Sequence, residues 1–176
     1  MDTKKKVRLV IAIVLSVLTA AFIVWIFSNS LKVAVESAAQ SDSVTQKLQR
    51  VFQVLLPNSS IATATGEAFD ELENLVRVLA HYAEYAVLGV LAFCTYRAFT
   101  DEKIWAITPF CCVVAVSAVD EVLQIFTEGR AFQWTDILID CAGAWTGCLV
   151  ALGVVALGVL IVRLIKNATQ PKRKKV

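Results

Sequence analysis

Three segments of this 176-residue chain place ionisable and amide side chains at helical spacing inside otherwise apolar sequence: Arg77, His81 and Glu84; Asp120, Glu121 and Gln124; Asp136 and Asp140. Residues three and four apart share a helix face. Arg77, His81, Glu84 and Leu88 therefore form one stripe, Asp120 with Gln124 a second, and Asp136, Asp140 and Gly143 a third. Oxygen ligands suit hard divalent cations and imidazole suits transition metals, so His81 among these carboxylates could hold a divalent metal. Alternatively, His81 or Glu121 could act as general base, its proton affinity tuned by burial and neighbouring charge. Arg130, in the loop that follows, could clamp a phosphate through its two-pronged fork. The candidate catalytic residues are thus His81, Glu84, Asp120 and Glu121, and the candidate substrate-binding residues are Arg77, Gln124, Arg130, Asp136 and Asp140. The rival reading is a satisfied interhelical network that only holds helices together. If the cluster is a functional site, Glu121 and Asp136 can be removed without loss of stability; if it is scaffold, their removal strands buried partners.

The chain is 57% hydrophobic and only 18% charged, with a mean hydropathy of +0.66. Soluble domains run at about half apolar and about a quarter charged, so an ordinary cytosolic enzyme is excluded. The expected fold is an all-α integral membrane protein forming a single domain over residues 1–176. Its four transmembrane helices are expected at about 9–28, 75–96, 104–126 and 136–162, since each crossing needs about 20 residues. The apolar run from Leu9 is longer than the core of a signal peptide, about 7–15 residues, and reads as a retained span. Cys94, Cys111, Cys112, Cys141 and Cys148 all fall in apolar runs without CxxC spacing and read as small packing residues. Gly143, Gly147 and Ala151 form a small-residue ridge suited to close helix approach. No phosphate-binding glycine loop, nucleophile elbow, HExxH or nucleic-acid module is present, so no nucleic-acid partner is expected.

The extramembrane segment 29–74 contains an amphipathic helical stretch. Ser43 and Gln46 have capping-box spacing, and Val44, Leu48, Val51, Phe52 and Leu55 follow at helical intervals up to Pro57. A second helix is expected to begin near Thr65 and to run into the second span. Such a pair would lie on the membrane surface or lid the bundle. Twelve of the 17 Lys and Arg residues fall at the N-terminus, the 97–103 loop and the tail 163–176; Lys32, Lys47, Arg50, Arg77 and Arg130 fall on the other side. Positive residues stay inside, which puts both termini in the cytoplasm. At 1.5 Å per residue, His81 stands about 24 Å above Arg97, Glu84 about 20 Å above it, and Asp120 about 26 Å above Lys103. The ionisable groups therefore share the outer leaflet, where a charge is costly and often functional.

Taken in order, these segments resemble the VanZ-like family over roughly residues 9–160. Arg77-Val78-Leu79-Ala80-His81-Tyr82-Ala83-Glu84-Tyr85 is similar to its R-K-x-A-H-F-x-E-Y segment. Asp120-Glu121-Val122-Leu123-Gln124-Ile125-Phe126 with Gly129-Arg130 is similar to D-E-x-x-Q-x-F…G-R, and Asp136-xxx-Asp140-xx-Gly143-xxx-Gly147 to D-xxx-N-xx-G-xxx-G. Val78 replaces a usual Lys and Asp140 a usual Asn, making this pocket more negative than is typical. The resemblance implies a multi-pass protein of the bacterial inner membrane that lowers sensitivity to glycopeptide and lipoglycopeptide antibiotics such as teicoplanin. An outward-facing polar pocket at lipid-headgroup level would suit a membrane lipid, a lipid-linked peptidoglycan precursor or a lipoglycopeptide. Two other classes remain open: a metal-dependent membrane hydrolase or transferase acting on a lipid-linked envelope substrate, and a small transporter or interaction subunit.

The split of basic residues gives a direct test of orientation. Cysteines introduced at Ser59 and Glu128 are expected to react with an impermeant thiol reagent applied outside the cell, and one at Thr100 is not. Labelling at Thr100 alone would invert the topology.

Overall fold

The computed structural model describes residues 2–100 and 107–169. Among them are five helices and no strand: α1 (Thr3–Ser30), α2 (Ala34–Leu55), α3 (Glu67–Phe99), α4 (Ile107–Gln124) and α5 (Trp134–Thr169). Helices α1, α3, α4 and α5 are each long and apolar enough to cross a membrane, which gives the expected all-α, four-span architecture. The expected start of the third span at Ile104, Lys103, from which the height of Asp120 is reckoned, and the basic residues from 170 onward lie outside the described residues. So do Met1, Asp101 and Glu102.

The bundle is built with its apolar side chains turned outward. Val10, Val17 and Val24 on α1 and Val154, Leu157 and Ile161 on α5 are exposed, as a hydrocarbon surround permits. The apolar core is correspondingly small: Ile26, Tyr85, Leu88, Val113 and Ala144 form one cluster, and Phe93, Cys148 and Ala151 a second. Cys148 and, in part, Cys94 pack as small apolar residues, whereas Cys111 and Cys112 are exposed on α4. Polar threads tie the helices together. Arg8 Nε donates to the Ala98 carbonyl at 2.9 Å, and the hydroxyls of Thr19 and Thr95 meet at 2.9 Å. These contacts set the start of α1 beside the end of α3, so the two helices run antiparallel.

The most extensive helix contact is between α3 and α5, and it is made through glycine. A Cβ on Gly143 would strike the carbonyl oxygen of Tyr82, one on Gly147 that of Ala86, and one on Gly89 that of Ala144. The two backbones therefore touch, which only residues without side chains permit.

Helix α2 differs from the sequence expectation. It begins at Ala34, nine residues before Ser43, and Ser43 stands exposed in its middle. Gln46 donates to the Asp42 carboxylate, at 3.0 and 3.2 Å, and does not complete a capping box. The first turn instead gives its Ala34 N–H to the Glu128 carbonyl at 3.1 Å, a cap supplied by a loop 94 residues away in the chain. At its far end Gln49 and Gln53 donate to the carbonyls of Ala64 and Ala62, at 2.7 and 3.2 Å. This pins the turn that leads into α3, which begins at Glu67 and continues unbroken through the second span.

Gly147→Val is expected to destabilise the detergent-solubilised protein by about 1–3 kcal/mol or more, because the side chain must push backbone aside. Gly153→Ala, where nothing lies within 4 Å of the added atom, should melt no lower than the parent. Equal melting temperatures for the two variants would show that the glycine contact is not what holds α3 to α5.

Candidate functional site

The close approach of α3 and α5 brings His81 and Asp140 face to face, with Nδ1 and Oδ1 3.5 Å apart. Asp140 is almost wholly buried, and its other oxygen accepts the Ser117 hydroxyl of α4 at 2.8 Å. Three helices thus meet on one carboxylate. Asp120 is equally buried and sits beside the hydroxyls of Ser30 and Tyr85 and near Asp140. Its Oδ1, the Tyr85 hydroxyl, Asp140 Oδ1 and His81 Nδ1 are all buried without a partner in hydrogen-bonding geometry. Glu84, one turn along α3 from His81, lies within electrostatic reach of His81, Asp120 and Asp140.

In front of this cluster are two adjoining cavities. One, of about 120 Å³, is bounded by Ser30 of α1, by Ser37, Gln40 and Ser41 of α2, and by Arg77, His81 and Glu84 of α3 together with Arg130. The other, of about 190 Å³, shares Ser37, Arg77, His81 and Arg130 and adds Gln124, Gln133 and Asp136. Helix α2 therefore roofs the site, one of the two dispositions the sequence allowed it.

The loop between α4 and α5 holds Arg130 in place. The backbone N–H groups of Ile125, Phe126, Thr127 and Arg130 each donate to the carbonyl three residues back, and Gly129 takes φ +75°, with its missing Cβ lying 3.0 Å from that of Ala34. Arg130 Nη2 donates to the Ser37 hydroxyl at 2.6 Å. Partial burial and the neighbouring Arg77 cation push the Arg130 pKa below the usual arginine value, and a guanidinium remains charged even so.

Glu121 has a different place from the other candidates. One of its oxygens accepts the Gln133 backbone N–H at 2.5 Å and the other accepts the Gln124 amide at 3.2 Å. With both oxygens engaged and the residue buried, it braces the corner between α4 and the loop. The expectation that Glu121 can be removed without loss of stability is revised accordingly. Asp136 is half-buried in the second cavity, and Arg77 also pairs loosely with Glu73 at 3.7 Å. Among the described residues no group of three or more His, Cys, Asp and Glu side chains is disposed to hold a metal ion; His81 and Asp140 supply two such donors.

Sequence spacing missed Ser117, Ser30 and Ser37. Ser117 lies three residues before Asp120, on its helix face, and that spacing was a usable signal. Ser30 and Ser37 carry no such signal, because they reach the site only through the turn that leads into α2.

Four apolar helices around a buried polar cluster, with a roofed cavity at one end, define a multi-pass helical membrane protein. Residues 13–165 match the VanZ/LLP1 family, and the chain belongs to it. Neither a search of curated proteins nor one of solved structures gives a match.

Glu121→Ala leaves the Gln133 N–H and the Gln124 amide without their acceptor and is expected to cost about 1–3 kcal/mol, read as a lower melting temperature in detergent. Asp136→Asn, which strands no partner of this kind, should melt no lower than the parent. A Glu121→Ala protein as stable as the parent would remove the bracing role.

Proposed function

We propose that this VanZ/LLP1 protein receives the polar headgroup of a lipid-anchored envelope molecule in the roofed cavity, and that doing so lowers sensitivity to lipoglycopeptides such as teicoplanin. The cavity carries the reading, because it combines charged and hydroxyl-bearing walls from α1, α2, α3 and the 125–133 loop with an apolar surface fit for lipid. The expected setting is the bacterial cell membrane with both termini cytoplasmic, which turns the cavity outward to the headgroups of the outer leaflet. A lipid-linked peptidoglycan precursor and the lipoglycopeptide itself are the ligands that fit a polar head joined to an apolar tail.

A second reading, a hydrolase or transferase acting on such a lipid, draws on the His81–Asp140 pair. A base oriented by a buried carboxylate is a recurrent catalytic arrangement, and here Asp140 faces Nδ1 while His81 lines both cavities.

In a teicoplanin-sensitive host, His81→Gln and Asp136→Asn proteins that reach the membrane at normal levels are expected to give no tolerance where the parent does. Full tolerance with both would take the cavity out of the mechanism. Tolerance lost only on substitution of Gly143 or Gly147 would point to an interaction subunit instead.

A further inference from the structure

The chemistry of the headgroup follows from the two arginines that both cavities share. Arg130 is part-buried, and its only hydrogen bond to a described side chain goes to the neutral hydroxyl of Ser37. A guanidinium has five N–H donors, so most of its capacity is unspent. No described carboxylate lies within 4.0 Å of it, since the ion pairs near the site are Arg77 with Glu73 and His81 with Asp140. After its burial, the largest influence on it is a like charge, Arg77, which the more weakly felt carboxylates of Asp120, Glu121 and Asp136 oppose. These carboxylates offset the repulsion of the two cations only from a distance, and an anion bound between the guanidinium groups would relieve it directly.

A third cation is tethered at the rim. Lys32 Nζ donates to Asn29 Oδ1 at 2.8 Å and to Gln40 Oε1 at 3.0 Å, and both residues line the first cavity. Hydroxyls of Ser37 and Ser41 add neutral donors. Glu84 and Asp136 border the same space, so the site is a focused cationic pair within mixed surroundings and not a broad positive patch. A planar guanidinium pair with hydroxyl donors matches the oxygens of a phosphoryl group, which arginine engages two at a time.

We propose that Arg77 and Arg130 clamp a phosphoryl group, the charged part of the molecule that enters the roofed cavity. This rests on the cavity being a binding site, as proposed above, and adds the class of its ligand. The Ser37 hydroxyl holds the Arg130 fork toward the cavity, and the loop fixed by Glu121 sets its position.

The test uses the full chain in nanodiscs of phosphatidylcholine, with two probes: phosphatidic acid as one-tenth of the lipid, and inorganic phosphate in solution. Retention of phosphatidic acid is read by native mass spectrometry, and binding of inorganic phosphate by thermal shift. The expected result is retention of phosphatidic acid, weakened about tenfold by Arg130→Gln and by Arg77→Gln, the loss of roughly one charge-assisted contact. Arg163→Gln, on the exposed far end of α5, should leave it unchanged. A thermal shift with inorganic phosphate, sensitive to the same two arginines, would show that the free ion suffices; its absence beside lipid retention would assign the site to a lipid headgroup. Arg130→Lys keeps the charge without the fork and covers the case in which Arg130→Gln fails to fold. No binding of either probe, or equal loss in Arg163→Gln, would overturn the clamp. Should tolerance still depend on His81 and Asp136 in that event, the cavity reading stands and only the phosphoryl assignment falls.

Discussion

The contact of two helix backbones without intervening side chains governs the rest of this molecule. Gly143 rests on the carbonyl of Tyr82 and Gly147 on that of Ala86, so the register of α5 against α3 is fixed at two levels a helical turn apart. Asp140 lies three residues before Gly143, and His81 lies beside Tyr82. Once the glycines seat, those two side chains must meet. Apolar burial contributes little to this arrangement, because lipid is as apolar as the helix surfaces. The chain relies on closeness of backbone and on a few polar contacts, and the polar contacts converge on the same place.

Charge is arranged in layers from the bundle axis outward. Deepest are Asp120 and Asp140, each almost without exposure and each beside hydroxyls from neighbouring helices. His81 and Glu84 come next, at the cavity wall, with Arg77 a turn before His81 on the same helix and Arg130 reaching the cavity from the loop between α4 and α5. A buried carboxylate costs several kcal/mol unless compensated; Ser117 of α4 offsets part of that cost at Asp140, while one oxygen of each carboxylate stays without a hydrogen-bond partner. Asp140, where the resembled family segment has Asn, is the residue that sets a carboxylate against the His81 imidazole. An Asn at that position would keep a hydrogen-bonding partner for Ser117 and lose the charge facing the imidazole.

Much of this was legible in the sequence, because a membrane span constrains its residues tightly. A helical rise of 1.5 Å, counted along the sequence from the basic residues Arg97 and Lys103, was enough to expect His81, Glu84 and Asp120 at similar heights, and the spacing of Gly143 and Gly147 announced the seam. The start of α2 was not legible, because its cap is the Glu128 carbonyl, a tertiary contact. A local motif at Ser43 with Gln46 was the stronger signal in the sequence and led to the wrong boundary. The role of Glu121 was equally hidden. Adjacent in sequence to Asp120, it points about 100° away around the helix, toward the loop, while Asp120 faces the bundle. Spacing alone does not say what the loop will offer it.

That divergence of two neighbouring acids explains how the site can be both polar and rigid. Asp120 faces inward and adds charge to the cluster, whereas Glu121 has both oxygens engaged in closing the corner that carries Arg130. Because Arg130 in turn holds Ser37, and the Ala34 N–H is capped by Glu128 of the same loop, the first turns of the roof over the cavity are anchored at that corner. A change at Glu121 would therefore reach the cavity indirectly, by loosening the roof and the Arg130 fork together, while leaving His81 and Asp140 pressed against each other by the glycine seam. The cluster is thus held by the glycine seam, and the start of its roof by the corner that Glu121 closes.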